Sequence, residues 1–297
     1  MFISLPIDIL YQDENLVAID KPSGYHVHPH ESEQYKISRD LICLYLLRNK
    51  MKKWVYPVHR LDVSTSGVLL FALNPEAASK ICDLFARQQT KKTYKAVVRG
   101  HPLNEGIITH DLKSDSSGDM LAAQTVYKCL AKIELPFSVE KKHASSRYSL
   151  IEVKPLTGRF HQIRRHFNRI SHPLIGDSSH GDSRHNIIFR EKLEIPGLCL
   201  RAESLEFIHP WTQEQIKITA PDILNTDVLN TDILNEISKE DLTHVSHNKL
   251  NDSLNNNLKT TNILENKVHT HHIQWQKIYE LFNYFPDSSA AISSAAP

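Results

Sequence analysis

The chain has 297 residues, 40% of them hydrophobic, with 35 Lys+Arg against 34 Asp+Glu and a formal charge of +1. That is enough apolar material for a sizeable core and excludes wholesale disorder. Taken as an average, the charge balance argues against a nucleic-acid binder, which needs a basic excess to neutralise phosphates.

In chain order, 15–20 reads as a short apolar strand ending in the turn Lys21-Pro22-Ser23-Gly24. Residues 40–50 are expected to be helical, with Leu41, Leu44, Leu46 and Leu47 near one side. A buried strand covers 68–73, and Asn74-Pro75 then supplies an N-cap and a first-turn proline for a helix through Gln89. Strands are predicted over 93–99, 124–131 and 148–154, a helix over 158–169, and strands over 205–208 and 215–219. Strands outnumber helices and often follow one another directly. The expected fold is therefore α+β, with a mixed, largely antiparallel sheet and flanking helices, rather than a doubly wound one.

The chain changes character after about Pro221. Residues 222–272 are rich in Asn and contain no Pro or Gly. They open with an imperfect five-residue repeat, Leu224-Asn225-Thr226-Asp227 followed by Leu229-Asn230-Thr231-Asp232, which matches neither a helix face nor a strand face. The expectation is a globular domain over 1–221 and a disordered low-complexity insertion over 222–272. Trp275, Ile278, Leu281, Phe282 and Phe285 then mark an amphipathic helix over 273–287 that packs back on the domain, with a frayed tail at 288–297. Residues 222–297 hold 5 Lys, no Arg and 10 acidic residues, a net −5, which leaves +6 on residues 1–221. The acidic extension hides a basic globular part.

Other limits are compositional. Cys43, Cys82, Cys129 and Cys199 are scattered, so there is no CxxC clip, and buried thiols of a reducing compartment are expected. No apolar run approaches the roughly 20 residues of a membrane helix, and 1–10 lacks a secretory pattern, so the expectation is a soluble, cytoplasmic protein with no membrane partner. The alternating His26, His28 and His30, and the cluster of His269, His271 and His272, lack acidic or Cys neighbours at a zinc spacing, so no metal is expected. No GxGxxG, P-loop, GxSxG or HExxH motif appears, which leaves a nucleotide cofactor or zinc hydrolysis without support.

Three segments can carry chemistry. His59-Arg60-Leu61-Asp62 sits on a loop running into the strand at 68–73, a place where a carboxylate is held rigidly yet stays reachable; the plain alternative is a surface turn with a solvated ion pair. Lys154, Arg159, Arg164, Arg165 and Arg169 form a positive stripe with no acidic residue between Val153 and Gly176. That is the electrostatic footprint of a phosphate partner, or else a solvated helix face. Lys92–Gly100 (KTYKAVVRG) places Tyr94 on a strand, where a half-buried core tyrosine is the plain reading.

Taken together, these segments resemble the RluA-type pseudouridine synthases. Asp13–Pro29 (DENLVAIDKPSGYHVHP) resembles the family's N-terminal motif, His59–Leu70 (HRLDVSTSGVLL) its catalytic motif, Lys92–Gly100 its tyrosine strand, and Leu150–Asp177 (LIEVKPLTGRFHQIRRHFNRISHPLIGD) its arginine motif. The likeness runs from about Ile7 to Thr219. Gly176–Asn186 (GDSSHGDSRHN) is most similar to a branch of the family that modifies uridine 65 of tRNA. The resemblance implies the family's catalytic fold over 1–221 and conversion of uridine to pseudouridine by a monomer with no cofactor. By match to the motifs, Asp62 is the essential carboxylate, Tyr94 stacks on the base, Arg164 pairs with Asp62, Ile163 lines the pocket, and Arg60 fills the space of the flipped base. Lys154, Arg159, Arg165 and Arg169 would follow the RNA backbone. A ribosomal or other tRNA target, and a non-catalytic RNA chaperone using the same pocket, are the competing readings. A glycosidase-like hydrolase needs a second carboxylate, and the arginine motif holds none between Glu152 and Asp177.

Overall fold

The first hairpin pairs β1 (Asp8–Gln12) with β2 (Leu16–Lys21) antiparallel. Its turn is set by Asp13, whose side chain accepts hydrogen bonds from the Asn15 and Leu16 amides at 2.7 Å each, the Asx pattern that favours Asp at turns. The computed structural model describes residues 7–29, 37–115, 117–136, 138–139, 143–221 and 274–282. The expected insertion at 222–272, the tail at 288–297, His30 and the cluster of His269, His271 and His272 lie outside the described residues.

The helix expected over 40–50 is split. A 3₁₀ turn covers Arg39–Leu41, and α1 runs Cys43–Met51. Ile42 is extended because it bridges His26, with the Cys43 amide donating to the His26 carbonyl at 2.8 Å. β3 (Tyr56–Pro57) and β4 (Ser66–Ala72) follow, then α2 (Pro75–Ala86). Asn74 caps α2 by accepting from the Ala77 amide at 2.8 Å, with Pro75 in the first turn. The helix stops short of Gln89 because Gln88 turns left-handed, at φ 58°. Next come β5 (Lys91–Arg99), β6 (Glu105–Thr109), the small hairpin of β7 (Leu112–Lys113) and β8 (Met120–Leu121), β9 (Gln124–Leu135) and β10 (Ser146–Pro155).

The helix expected over 158–169 begins only at Gln162, as α3 (Gln162–Arg169). The Gln162 side chain holds the preceding residues in a turn: Oε1 accepts from the Thr157 hydroxyl at 2.6 Å and the Arg159 amide at 3.0 Å, and Nε2 donates to the Gln124 carbonyl at 2.8 Å. α4 (Ser183–Glu191), absent from the sequence reading, is capped by Asp182. β11 (Leu200–Ile208) starts five residues before the strand read at 205–208, and β12 (Gln215–Thr219) closes the series.

The main sheet runs β1-β2-β4-β11-β5-β10-β9-β6, with β12 beside β11 and β3 beside β4. Among the described strands only β4 and β11 pair parallel, and the other pairs are antiparallel. The fold is mixed α+β, as the pattern of elements implied. β2 and β4 are buried on both faces, which is why 16–19 and 68–72 read as unbroken apolar runs. Val17, Ile19, Leu69 and Phe71 join one cluster with α1, while Leu16, Ala18, Val68 and Leu70 join another with α2. The helix at 274–282 places Trp275, Ile278, Tyr279, Leu281 and Phe282 in a cluster with Val97, Tyr148 and Phe189 of β5, β10 and α4.

Candidate active site

The loop after β3 is built to hold one carboxylate still. The Asp62 carbonyl closes a turn by accepting from the Thr65 amide at 3.0 Å. Beneath it, the fully buried Lys21 donates its ammonium to three carbonyls, of Pro22 at 2.9 Å, Val63 at 3.0 Å and Thr65 at 2.8 Å. The Gly24 amide and the Ser23 hydroxyl add bonds to the Val63 and Ser64 carbonyls at 2.7 and 2.9 Å. The Lys-Pro-Ser-Gly turn is thus a clamp on the Asp62 loop, a role that the sequence alone left unassigned.

Across the cavity, α3 presents Arg164. Its Nη1 donates to Asp62 Oδ2 at 3.1 Å, while Nε and Nη2 grip Asp177 Oδ2 and Oδ1 at 2.7 Å each. Asp177 also accepts from the Ser179 and His180 amides at 2.9 Å each, and its backbone is fixed by Asn186 of α4, whose Nδ2 donates to the Asp177 carbonyl at 2.9 Å. Burial opposes charge on both partners. For Arg164 it is outweighed by the bonds and charge of Asp177 and then Asp62, so the guanidinium holds its proton more tightly than usual. For Asp177 it is outweighed by Arg164 and the two amides, so the carboxyl lies below its ordinary range. A second carboxylate is therefore present, but its oxygens are committed and its side chain is out of solvent. That removes the acid–base partner a hydrolase would need.

A cavity of about 540 Å³ opens between these groups, within the size range of small-molecule sites. Arg60, Asp62, Lys92, Tyr94, Ile163 and Arg164 are on its wall. Tyr94 packs against the cluster under α1 and the one under α3, so it sits where the two meet. Burial, followed by the charge of Asp62, raises its pKa well above the usual value, and the phenol keeps its proton. Burial lowers Lys92. His161, just before α3, points Nε2 at Asp62 Oδ2 at 3.5 Å and Nδ1 at His180 Nε2 at 3.1 Å.

The structure divides the positive stripe. Arg159 lines the cavity and also donates to the Ala122 carbonyl at 3.1 Å. Arg165 donates from Nη1 to the Lys113 and Phe160 carbonyls at 3.0 and 3.4 Å, and Lys154 pairs with Glu152 at 2.7 Å on β10. Arg169 is exposed at the end of α3. Lys21, His161, Asp177 and His180 were not singled out by residue type, because a lone Lys, His or Asp in a motif has no spacing that signals a site. Among the described residues no group of three or more His, Cys, Asp or Glu side chains is placed to hold a metal ion, and no helix is long and apolar enough to cross a membrane.

The site is thus a carboxylate, Asp62, held by a buried arginine and facing a cavity with a tyrosine on its wall. The family model described as RNA pseudouridylate synthase matches residues 15–169, and the chain belongs to that family of isomerases. The tRNA pseudouridine synthase C of Vibrio vulnificus is 43% identical over 224 residues, spanning 72% of this chain and 90% of that protein. The protein of the same name from Pasteurella multocida is 42% identical over 226 residues, spanning 73% and 91%. Among solved structures, human RNA Pseudouridylate Synthase Domain Containing 1 superposes with a TM-score of 0.57 at 25% identity, covering 75% of this chain and 86% of that one. Human RNA Pseudouridylate Synthase Domain Containing 4 gives 0.54 at 26%, covering 72% and 87%.

Proposed function

We propose that this enzyme converts uridine to pseudouridine in tRNA, at position 65, as a monomer, with Asp62 as the essential carboxylate. The observation that carries the reading is the 3.1 Å contact between Arg164 and Asp62 at the wall of the cavity. The naming of the relatives as tRNA pseudouridine synthase C supports tRNA as the substrate.

The reaction breaks the N1–C1′ bond and makes a C5–C1′ bond. C5 gives up its proton and N1 gains one, so no atom is lost. Asp62 attacks C1′ of the ribose or C6 of the base, or removes a ribose proton to open a glycal. All three routes need a fixed carboxylate, and the Arg164 contact orients it. Tyr94 stacks on the base. Its phenol is a poor base at rest, partly because Asp62 is charged beside it.

The base must first leave the helix, at a cost of a few kcal/mol. Arg60 stands exposed at the cavity rim and takes the vacated space. Ile163 supplies the apolar wall, while Arg159, Arg165, Arg169 and Lys154 follow the phosphates.

The deciding experiment is pseudouridine formation on a purified tRNA transcript by Asp62→Asn. No product is expected, and product at the wild-type rate would overturn the assignment. Mapping pseudouridines in a deletion strain fixes the target: loss at tRNA position 65 is expected, and loss only in ribosomal RNA would move the substrate. A sedimentation coefficient of a dimer would overturn the monomer.

A further inference from the structure

His161 occupies a position where the backbone is under strain. It precedes α3 at φ 50° and ψ 29°, the left-handed region that residues with a Cβ avoid. Strained residues of this kind persist where the surroundings over-determine them, often at functional sites. Here the imidazole of the strained residue points Nε2 at Asp62. Phe160 stacks on the ring, with centroids 3.7 Å apart.

The side-chain contacts of the Asp62 carboxylate are asymmetric. Oδ2 accepts from Arg164 Nη1 at 3.1 Å and faces His161 Nε2 at 3.5 Å. Oδ1 has no hydrogen-bond partner among the described residues. We infer that His161 is a positioning residue for Asp62: its Nε2–H and the Arg164 Nη1–H converge on Oδ2 and leave Oδ1 as the oxygen that meets the substrate.

For Nε2 to carry the proton, Nδ1 must offer its lone pair, so His180 donates its own Nε2–H across the 3.1 Å contact. The second histidine thereby sets the tautomer of the first. The charged groups around the pair are Asp62, Arg164 and Asp177, with Arg165 beside His180. Burial leads in lowering both histidines. Asp62 opposes it at His161, and Arg164 adds to it at both rings. Both rings are neutral at physiological pH, the state that this directed chain of donors requires.

The inference rests on Asp62 being the reacting carboxylate. The test is kcat and KM on an unmodified tRNA transcript for His161→Leu and His161→Gln. Glutamine places an amide N–H near the former Nε2 and does not titrate. His161→Leu should lose about 10- to 100-fold in kcat, the scale of a misplaced reacting group, with KM within about threefold of wild type. His161→Gln should recover most of that loss. The ¹⁵N shifts of the wild-type protein at pH 7 should show the Nε2–H tautomer at His161. A loss in KM alone, wild-type kcat in His161→Leu, or a folded His161→Gln no better than the leucine variant would overturn the inference. So would an Nδ1–H tautomer, which decides the matter even if the leucine variant fails to fold. An active Asp62→Asn enzyme would remove the underlying assignment; an inert Asp62→Asn beside a fully active His161→Leu would overturn only the role of His161.

Discussion

Arg164 grips Asp177 with both arms of its fork, Nε to Oδ2 and Nη2 to Oδ1 at 2.7 Å each, and has only Nη1 left for Asp62. Asp177 therefore aims the arginine at Asp62, the carboxylate proposed to react. Asp177→Asn leaves a buried guanidinium half-paired, and removing one partner of such a pair costs about 3 kcal/mol or more. For a domain of this size that is a Tm drop on the order of 10 °C. A thermal melt checks it, and a wild-type Tm would mean that the pair is dispensable.

The Lys21 clamp predicts opposite pH trends for stability and activity. Burial pushes Lys21 down to about 8 from its ordinary 10.5. Between those values the unfolded chain holds a proton that the fold has released, so this group alone makes the fold more stable as pH rises. The neutral amine has only two hydrogens for three carbonyls, so the Asp62 loop loosens and kcat falls above about pH 8. Rate and denaturant measurements at pH 7.5 and 9.5 check both signs. Lys21→Met should lower kcat at every pH and remove the stability gain.

His59 predicts an acid effect. Its Nε2 accepts from the Leu70 amide at 2.9 Å, and burial, followed by the charge of Lys92, lowers its pKa to about 3. The unfolded chain takes up a proton near the ordinary 6.5, so stability is present above that pH and is lost as pH falls through the window down to about 3. By pH 5 the loss from this residue is on the order of 2 kcal/mol. Urea unfolding of wild type and His59→Gln from pH 7 to 5 measures it, and parallel curves would contradict it.

Gly67→Ala should abolish the folded enzyme. Gly67 lies at φ 105°, and a Cβ there would stand 2.1 Å from the Ala202 carbonyl oxygen on the parallel neighbour β11. The contact is backbone, so no side chain can yield. Soluble expression at the wild-type level with a native circular dichroism spectrum would refute this.

The sequence made some of these features readable and concealed others for physical reasons. Asn74-Pro75 located the start of α2, because capping is local chemistry. The early part of β11 was hidden by Arg201, which is buried and pairs with Asp20 at 3.1 Å; a charged residue in a strand reads as surface until its distant partner is known. The start of α3 was misplaced because Gln162, an ordinary helix former, spends its amide on Thr157, Arg159 and Gln124. Asp62, Tyr94 and Arg164 lie together on the cavity wall, whereas the links of Asp177 to Arg164 and of His161 to Asp62 and His180 emerge only from the three-dimensional arrangement.

β11 also fixes a timetable. It is inserted between β4 and β5, yet it is made after β10 and α4. Asp62, Tyr94 and Arg164 have all been synthesised while the strand that brings β4 beside β5 is still to come. Such long-range closure is slow compared with local pairing. A nascent chain stopped at residue 195 would contain Asp62, Tyr94 and Arg164 but not the strand that joins their two half-sheets. The cavity wall that holds Asp62, Tyr94 and Arg164 is therefore completed only once Leu200–Ile208 is free to pair with β4 on one side and β5 on the other.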